Sequence, residues 1–510
     1  MMYISTRGKS EPVPASVAIM QGLAPDGGLY IPEEIPALTR AQLRDCVGYD
    51  YRQKAKLVLG MFLTDFSERE IEACVDKAYT AAKFGSDDTV PLHALGGDRY
   101  LLELWHGPTC AFKDMALQCL PVFFSASVDK LRAAGGPAND YLIAVATSGD
   151  TGKAALQGFA NRAHTSIVVF YPDGGVSDIQ YKQMATQEGD NVCVYAARGN
   201  FDDCQTSVKR MFGDDEFNRQ LLEQDNVALS SANSINWGRL LPQVVYYISS
   251  YASMVKSGEV KAGDLIDVTV PTGNFGNILA CWYAKQIGTP IDKIVCASNT
   301  NRVLTDFIET GVYDIVDREF ILTPSPSMDI LVSSNLERQL YELTGRDEAK
   351  IAQWMADLNE KRRFEVDAQT FAALQENYEC GSVDNETCLE TIKAVYEEHG
   401  YLLDPHSAVA WNVAVAHEGA NPMLVASTAN WAKFGSNVYR ALNGIKAGEP
   451  LPQEVAGLSD VQLNRVVFEA TGVSPIPAGL DVLDDKPIRF TEVIDGDTAG
   501  VEGAVKAFLA

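Results

Sequence analysis

A lysine closing an apolar run is the first residue of this sequence that could do chemistry. Lys113 lies in His106-Gly107-Pro108-Thr109-Cys110-Ala111-Phe112-Lys113-Asp114, just after Tyr100-Leu101-Leu102-Glu103-Leu104. The apolar run predicts a strand and the residues after Lys113 a helix. Gly107-Pro108 predicts a turn that redirects the chain. A strand end of this kind is where an α/β enzyme can hold a reactive amine. Taken alone, Lys113 reads as a solvated side chain, as most lysines are.

Three further junctions change that reading, because ligands of parallel α/β sheets gather at the carboxyl ends of strands. Ala146-Thr147-Ser148-Gly149-Asp150-Thr151-Gly152 follows the apolar run 141–146. Its small residues leave backbone N–H groups free at a helix start, suited to a carboxylate or phosphate; a plain capped turn reads equally well. Pro271-Thr272-Gly273-Asn274-Phe275-Gly276-Asn277 follows the run 266–270. It can wrap a phosphate with uncharged donors, and it has neither the Lys-Ser/Thr ending of a P-loop nor the GxGxxG spacing of a dinucleotide site. Ala426-Ser427-Thr428-Ala429-Asn430 places a hydroxyl at a third strand end, where it can cap a helix or touch a ring nitrogen. A fourth segment, Ser230 to Arg239, sets Ser234 and Asn236 before a helix and adds Arg239 as a cation for an anionic group. One amine, a phosphate cradle, a carboxylate cradle and a strand-end hydroxyl together describe a site for pyridoxal 5'-phosphate, whose aldehyde combines with a lysine.

The elements that must position these residues are those of an α/β protein. The chain has 510 residues, enough for two or three domains, with 46% apolar and 22% charged residues. Apolar runs at 141–146, 166–170, 192–196, 266–270, 293–297 and 423–426 alternate with helical stretches, which predicts βαβ units and mainly parallel strands. Before them, 24–32 reads as a turn and strand, and 41–63 and 68–84 as helices. Residues 335–400 are charged and helical in pattern and predict an all-helical excursion; the tail after Lys446 has weak periodicity until 501–509.

Several functions are disfavoured. A net charge of −26 argues against nucleic acid and anionic membrane surfaces, and any phosphate must be held by local donors. Ten scattered cysteines without a CxxC pair fit reduced thiols in the cytoplasm, and six histidines without zinc spacing predict no metal site. Neither a signal peptide nor a membrane-spanning run is expected.

With these segments in place, the sequence resembles the threonine synthase family, in its microbial and fungal branch, which has the fold type II of tryptophan synthase β. The resemblance rests on QGLAPDGGLYIP at 21–32, HGPTCAFKD at 106–114, ATSGDTG at 146–152, SANSINWGR at 231–239, PTGNFGN at 271–277, SPSMDILVSSNLERQLYE at 325–342 and ASTANWAKF at 426–434. It departs from the family's pattern at Asn430-Trp431, where His-Pro is expected. The resemblance implies two open, mainly parallel α/β domains, an N-terminal α+β domain over 1–97 and a helical insertion. The large domain would take 98–131 and 223–510, and a small mobile domain 132–222. Lys113 would carry the cofactor, Gly273, Asn274, Phe275, Gly276 and Asn277 would line its phosphate, and Thr428 would face its ring nitrogen. Thr147, Ser148, Asp150 and Thr151, with Ser234, Asn236 and Arg239, would meet the substrate. The implied activity is that of a carbon–oxygen lyase turning O-phospho-L-homoserine and water into L-threonine and phosphate, the last step of threonine biosynthesis. The alternative is a phospho-lyase or dehydratase releasing 2-oxobutyrate. A monomer is expected rather than an oligomer.

Overall fold

The structure is a computed structural model and describes residues 1–85 and 88–510. In chain order its strands are β1 (Tyr3–Ser5), β2 (Tyr30–Pro32), β3 (Leu92–Gly96), β4 (Arg99–Glu103) and β5 (Asp140–Ala146). Next come β6 (Thr165–Pro172), β7 (Val192–Ala197), β8 (Val227–Ser230), β9 (Ile266–Pro271) and β10 (Ile291–Ser298). The last are β11 (Val312–Asp314), β12 (Arg363–Glu365), β13 (Tyr378–Ser382), β14 (Met423–Ser427) and β15 (Val493–Ile494).

Two sheets frame the site. The larger runs β13-β10-β9-β14-β4-β3 and is parallel except for β3, which is antiparallel to β4. The smaller runs β15-β7-β6-β5-β8 and is parallel throughout. β1 with β2, and β11 with β12, form small antiparallel pairs. Every residue of β9 and β14 is buried, because helices cover both faces of a parallel sheet, and this is why those strands read as continuous apolar runs. Parallel register brings Glu103, Ser427, Pro271 and Ser298 to one edge. The loops that leave this edge carry the candidate chemistry.

The helices that matter begin at those loops: α1 (Lys113–Leu117) after β4, α2 (Asp150–Phe159) after β5, α3 (Phe201–Phe212) after β7, α4 (Trp237–Ser257) after β8 and α5 (Gly276–Gln286) after β9. α6 (Pro405–Ala416) precedes β14, and α7 (Thr498–Leu509) closes the chain. α4 is buried on nearly every side and forms the middle of the molecule. α2 meets α1 through Gly158, where a Cβ would lie 2.1 Å from the Leu117 carbonyl oxygen. Only glycine lets the helix of the smaller sheet approach the lysine-bearing helix so closely.

The architecture differs from the sequence reading in five places. The stretch 335–400 is not all helical: β12 and β13 lie inside it, and β13 pairs with β10 from Ile294↔Tyr378 to Ser298↔Ser382. Its sequence, Tyr378-Glu379-Cys380-Gly381-Ser382, has no apolar run because it is a half-exposed edge strand. β8 belongs to the smaller sheet although it begins beyond residue 222. The chain end returns to the same sheet: Val493 pairs with Ala196, and Val501, Ala504 and Val505 pack with Phe201, Cys204 and Val208. β3, inside the expected N-terminal unit, completes the larger sheet. The helices expected over 41–63 and 68–84 are each interrupted, giving Arg40–Asp45, Tyr51–Phe62, Glu68–Ala78 and Ala81–Phe84. Asp50 and Thr80 supply the N-caps that restart them.

Candidate active site

Lys113 is placed by backbone bonds to a segment far away in the chain. The loop between β4 and α1 is strapped to the end of β14: Leu104 N–H donates to the Ser427 carbonyl (3.0 Å), Phe112 N–H to that of Thr428 (2.8 Å), and Asn430 N–H to that of Cys110 (3.0 Å). Within the loop, Asp114 accepts from Thr109 N–H and from Thr109 Oγ1, both at 2.8 Å, and a Cβ on Gly107 would collide with the Asp114 side chain at 2.4 Å. The HGPT…KD spacing is therefore a folded lock that aims the lysine. Burial pushes the Lys113 amine down to about 7; Asp150 opposes this, while Arg239 and Lys433 add to it. Its Nζ stands 3.7 Å over the Phe112 ring.

The loop after β9 presents donors and hides acceptors. Phe275 takes a left-handed conformation (φ 60°), and α5 starts at the next residue. The first N–H groups of a helix lack intrahelical acceptors. The loop's carbonyls are tied back: Ser333 Oγ donates to Gly273 O (2.7 Å), and Asn335 N and Nδ2 both donate to Asn274 O (3.1 and 3.0 Å). The Asn277 amide oxygen accepts from the hydroxyls of Tyr246 and Tyr247, and its Nδ2 is buried without a partner. Gly273 leaves no room for a side chain, since a Cβ would sit 2.7 Å from Ser327 O. Such a pocket accepts an anion by hydrogen bonding alone.

Across from it lies the start of α2. Thr147 Oγ1 accepts from Gly149 N–H (2.9 Å) and Gly152 N–H (2.8 Å), which folds the loop. Asp150 is ion-paired at 2.7 Å with Lys433, a lysine with no solvent exposure. It also accepts from Gln180 Nε2 (3.0 Å) and Ser327 Oγ (3.2 Å). Ser327 N–H donates to His406 Nε2 (3.1 Å), while His406 Nδ1 meets Asp404 at 2.8 Å. This pattern makes His406 the Nδ1–H tautomer, with Nε2 as acceptor. Lys113, Asp150, Thr151, Ser234, Arg239, Gly273 to Asn277, Ser327, His406 and Thr428 line one cavity.

The chain is similar to known proteins along most of its length. Residues 2–79 match the family described as threonine synthase N terminus, 89–423 that of the pyridoxal-phosphate dependent enzymes, and 407–505 that of threonine synthase, C-terminal. The chain is 37% identical over 508 residues to the threonine synthase of Eremothecium gossypii, covering 93% of this chain and 96% of that one. The chain belongs to the threonine synthase family. It superposes on the crystal structure of pyridoxal-phosphate-bound threonine synthase from Brucella melitensis with a TM-score of 0.83 at 37% identity, covering 100% and 99% of the two chains. It is also 41% identical over 436 residues to threonine synthase-like 1 of Macaca fascicularis, covering 84% of this chain and 58% of that protein. It thus spans somewhat under two thirds of the length of those curated relatives.

A threonine synthase family member needs a place for pyridoxal phosphate, and this cavity fits it on structural grounds. The unpartnered Asn277 Nδ2, the tied-back carbonyls and the space kept by Gly273 suit a phosphate group. Lys113 lies in the same cavity, the only lysine of its lining among the described residues, and Thr428 is buried in the wall. Thr428 N–H donates to Ser407 Oγ (3.1 Å), which holds that wall to α6.

Not every expected residue reaches the cavity. Asn236 caps α4 and donates to Ile19 O and Ser231 O, both at 2.9 Å, so its side chain is used within the framework. Thr147 is likewise occupied by its own loop, and Ser148 does not line the cavity. Arg239 does, donating to Ala232 O (2.8 Å) and lying 3.4 Å from Thr151 Oγ1, with Nε unpartnered; burial lowers its pKa to about 10. Asn430 caps the short helix Trp431–Phe434. Lys433, Ser327 and His406 escaped the sequence reading. Lys433 and Ser327 fall inside quoted motifs, but nothing local separates a buried lysine from a solvated one. His406 follows Asp404-Pro405 and reads as part of an ordinary helix cap.

Proposed function

We propose that this chain is a threonine synthase: with pyridoxal phosphate bound, it converts O-phospho-L-homoserine and water into L-threonine and phosphate. The observation that carries the reading is the strap between 104–112 and 427–430, which sets the Lys113 amine and Thr428 in one cavity with a donor-only cradle. Bound there, pyridoxal phosphate supplies an aldehyde for Lys113 and for the substrate amine, and an electron sink for charge left on the substrate carbons. The protein's own part is acid–base work and positioning. Lys113, with a pKa near 7, is neutral often enough to take the α-proton and protonated often enough to return one at the γ-carbon. Its long side chain serves successive positions on one face of the substrate. Arg239 and the backbone N–H groups at the start of α2 suit the substrate carboxylate, and the pairing of Asp150 with Lys433 removes a charge that would repel it. Thr428 offers the ring nitrogen a neutral hydroxyl, so the ring is less protonated than an aspartate would make it. Closure of the smaller sheet's unit over this cavity would exclude water until it is needed.

Action as a monomer in the cytoplasm completes the reading; all ten cysteines are free thiols, which suits a reducing compartment. No helix among the described residues is long and apolar enough to cross a membrane, and no described cluster of His, Cys, Asp and Glu could hold a metal. The alternative outcome at the same site is elimination of phosphate with release of 2-oxobutyrate. Product analysis with the cofactor-loaded protein and O-phospho-L-homoserine tests the proposal. Threonine and phosphate in equal amounts support it; phosphate with 2-oxobutyrate replaces it with the lyase.

A further inference from the structure

A second cavity among the described residues is far larger than the catalytic one. It holds about 960 Å³ and lies between the N-terminal segment, α3 and the part of the larger unit around residues 313–364. α3 explains its chemistry. Phe201, Cys204, Val208 and Met211 turn one face to the smaller sheet and α7. The opposite stripe, Asp202, Gln205, Thr206, Lys209 and Arg210, recurs at helical spacing and would ordinarily face open water. Here it faces the cavity.

The cavity is a cationic place in an acidic protein. Arg7, Lys209, Arg210 and Arg362 line it, against Asp202 and Glu337. Glu337 is occupied, forming a double hydrogen bond with Arg7 (3.0 and 3.0 Å) and one with Thr6 (2.7 Å). Lys209 and Arg210 have no hydrogen-bond or ion-pair partner for their side chains among the described residues. Lys209 is open to the solvent of the cavity, yet enclosure by protein lowers its pKa, with Glu337 and Asp202 opposing the drop. A cation so placed acts through low-dielectric walls, where its field is focused rather than screened.

The cavity also backs onto the catalytic pocket. Ile235, Ser333 and Ser334 line it, while the adjoining Ser234 lines the pocket with Lys113. The Ser234 and Ser334 hydroxyls are 3.4 Å apart, Ser334 Oγ donates to Asn274 Oδ1 (3.2 Å), and Ser333 Oγ holds Gly273 O. Ser234 and Ser334 thus meet between the two cavities, and Ser333 and Ser334 rest on the phosphate cradle.

We propose that this cavity is an antechamber that gathers the phosphorylated amino-acid substrate, with Lys209 and Arg210 as collecting cations and the Ser234–Ser334 contact as the partition crossed on the way to Lys113. The inference rests on the proposed function, since it takes that substrate's dianionic phosphate as its object. A chain of net charge −26 repels such a dianion at long range, and a local cationic mouth offsets the repulsion.

The test compares wild type, Lys209→Gln and Arg210→Gln with Lys446→Gln, which removes the same charge from an exposed site outside both cavities. Cofactor-loaded proteins are assayed at low and high ionic strength, and inorganic phosphate is titrated while its phosphorus NMR linewidth is followed. The expected result is a kcat/KM lowered about tenfold in the two cavity variants at low salt, with kcat kept and the deficit shrinking at high salt. Phosphate broadening should weaken in these variants and stay at the wild-type level in Lys446→Gln. A kcat/KM and salt dependence equal to those of Lys446→Gln would overturn the antechamber while leaving the function intact. If wild type makes no product at all, the functional reading fails, and the phosphate titration alone decides: broadening that Lys209→Gln does not alter overturns the antechamber as well.

Discussion

The carboxylate of Asp150 lies 2.7 Å from the ammonium of Lys433, and the two side chains are 4% and 0% exposed. Asp150 starts α2 on the smaller sheet, whereas Lys433 follows the last strand of the larger one. The pair therefore joins the two units beside the candidate pocket, which Asp150 lines. Lys433 Nζ also donates to Thr109 O (3.0 Å), inside the lock that aims Lys113. One buried cation thus touches both the loop that carries Lys113 and the residue that starts α2.

Breaking that pair should cost much more than breaking a surface one. Lys433→Met leaves a buried carboxylate without its counter-ion, with an expected loss of about 3–5 kcal/mol. Adding Asp150→Asn should recover a large part of it, because neither charge then remains. Urea unfolding of the two single variants and the double variant reads the coupling; simple additivity would refute it.

The same pair should make stability depend on acid. Burial alone would raise the Asp150 carboxyl, but Lys433, followed by Lys113, holds it well below the ordinary carboxylate range. A depressed folded-state pKa contributes stability that is present above the unfolded value, about 3.9, and is lost as pH falls below it. Wild type should lose more stability between about pH 5 and pH 3 than the Asp150→Asn variant does. Parallel acid titrations of the unfolding midpoint would contradict this.

Lys113 should react as an amine with a pKa near 7 rather than 10.5. Burial causes the shift, so the neutral, nucleophilic form grows as pH rises through about 7. Capture of pyridoxal phosphate by the cofactor-free protein should accelerate over that range and level off above it. A rate still climbing steeply at pH 9 would argue against the shift. Lys113→Ala should lower turnover by at least about 10²–10⁴-fold and abolish borohydride fixation of the cofactor to the chain.

Gly273→Ala should empty the cradle without unfolding the protein. The added Cβ would meet the Ser327 carbonyl oxygen at 2.7 Å and Met328 Cα at 3.3 Å, both backbone atoms that cannot swing aside. The loop must shift, and its N–H groups lose their common focus. Cofactor retained after dialysis should fall at least about tenfold, the equivalent of 1.4 kcal/mol, while the thermal midpoint of the cofactor-free protein changes little. Full retention would show that the cradle tolerates a side chain.

Much of this protein could be read from sequence because the relevant signals are local. Parallel strands buried on both faces, such as β9 and β14, need unbroken apolar runs, and 266–270 and 423–426 show them. Gly273, Phe275 and Gly276 report a backbone turned toward a ligand, and the HGPT…KD spacing is a lock closed within nine residues of chain. Tertiary structure alone decided where polar groups find partners. Asn236 and Thr147 have the right types for substrate contacts, yet their atoms are engaged by Ile19 and by the glycine N–H groups of the loop. Lys433 is chemically the same as any surface lysine until folding removes its water and leaves Asp150 as its counter-ion. β13 and β15 are short edge strands whose pairing is fixed by a neighbour already in place, with no apolar run of their own. A buried polar group must be satisfied by whatever the fold brings within about 3 Å, and for Lys433 and Asn236 a partner lies hundreds of residues away in the chain, where no local pattern can name it.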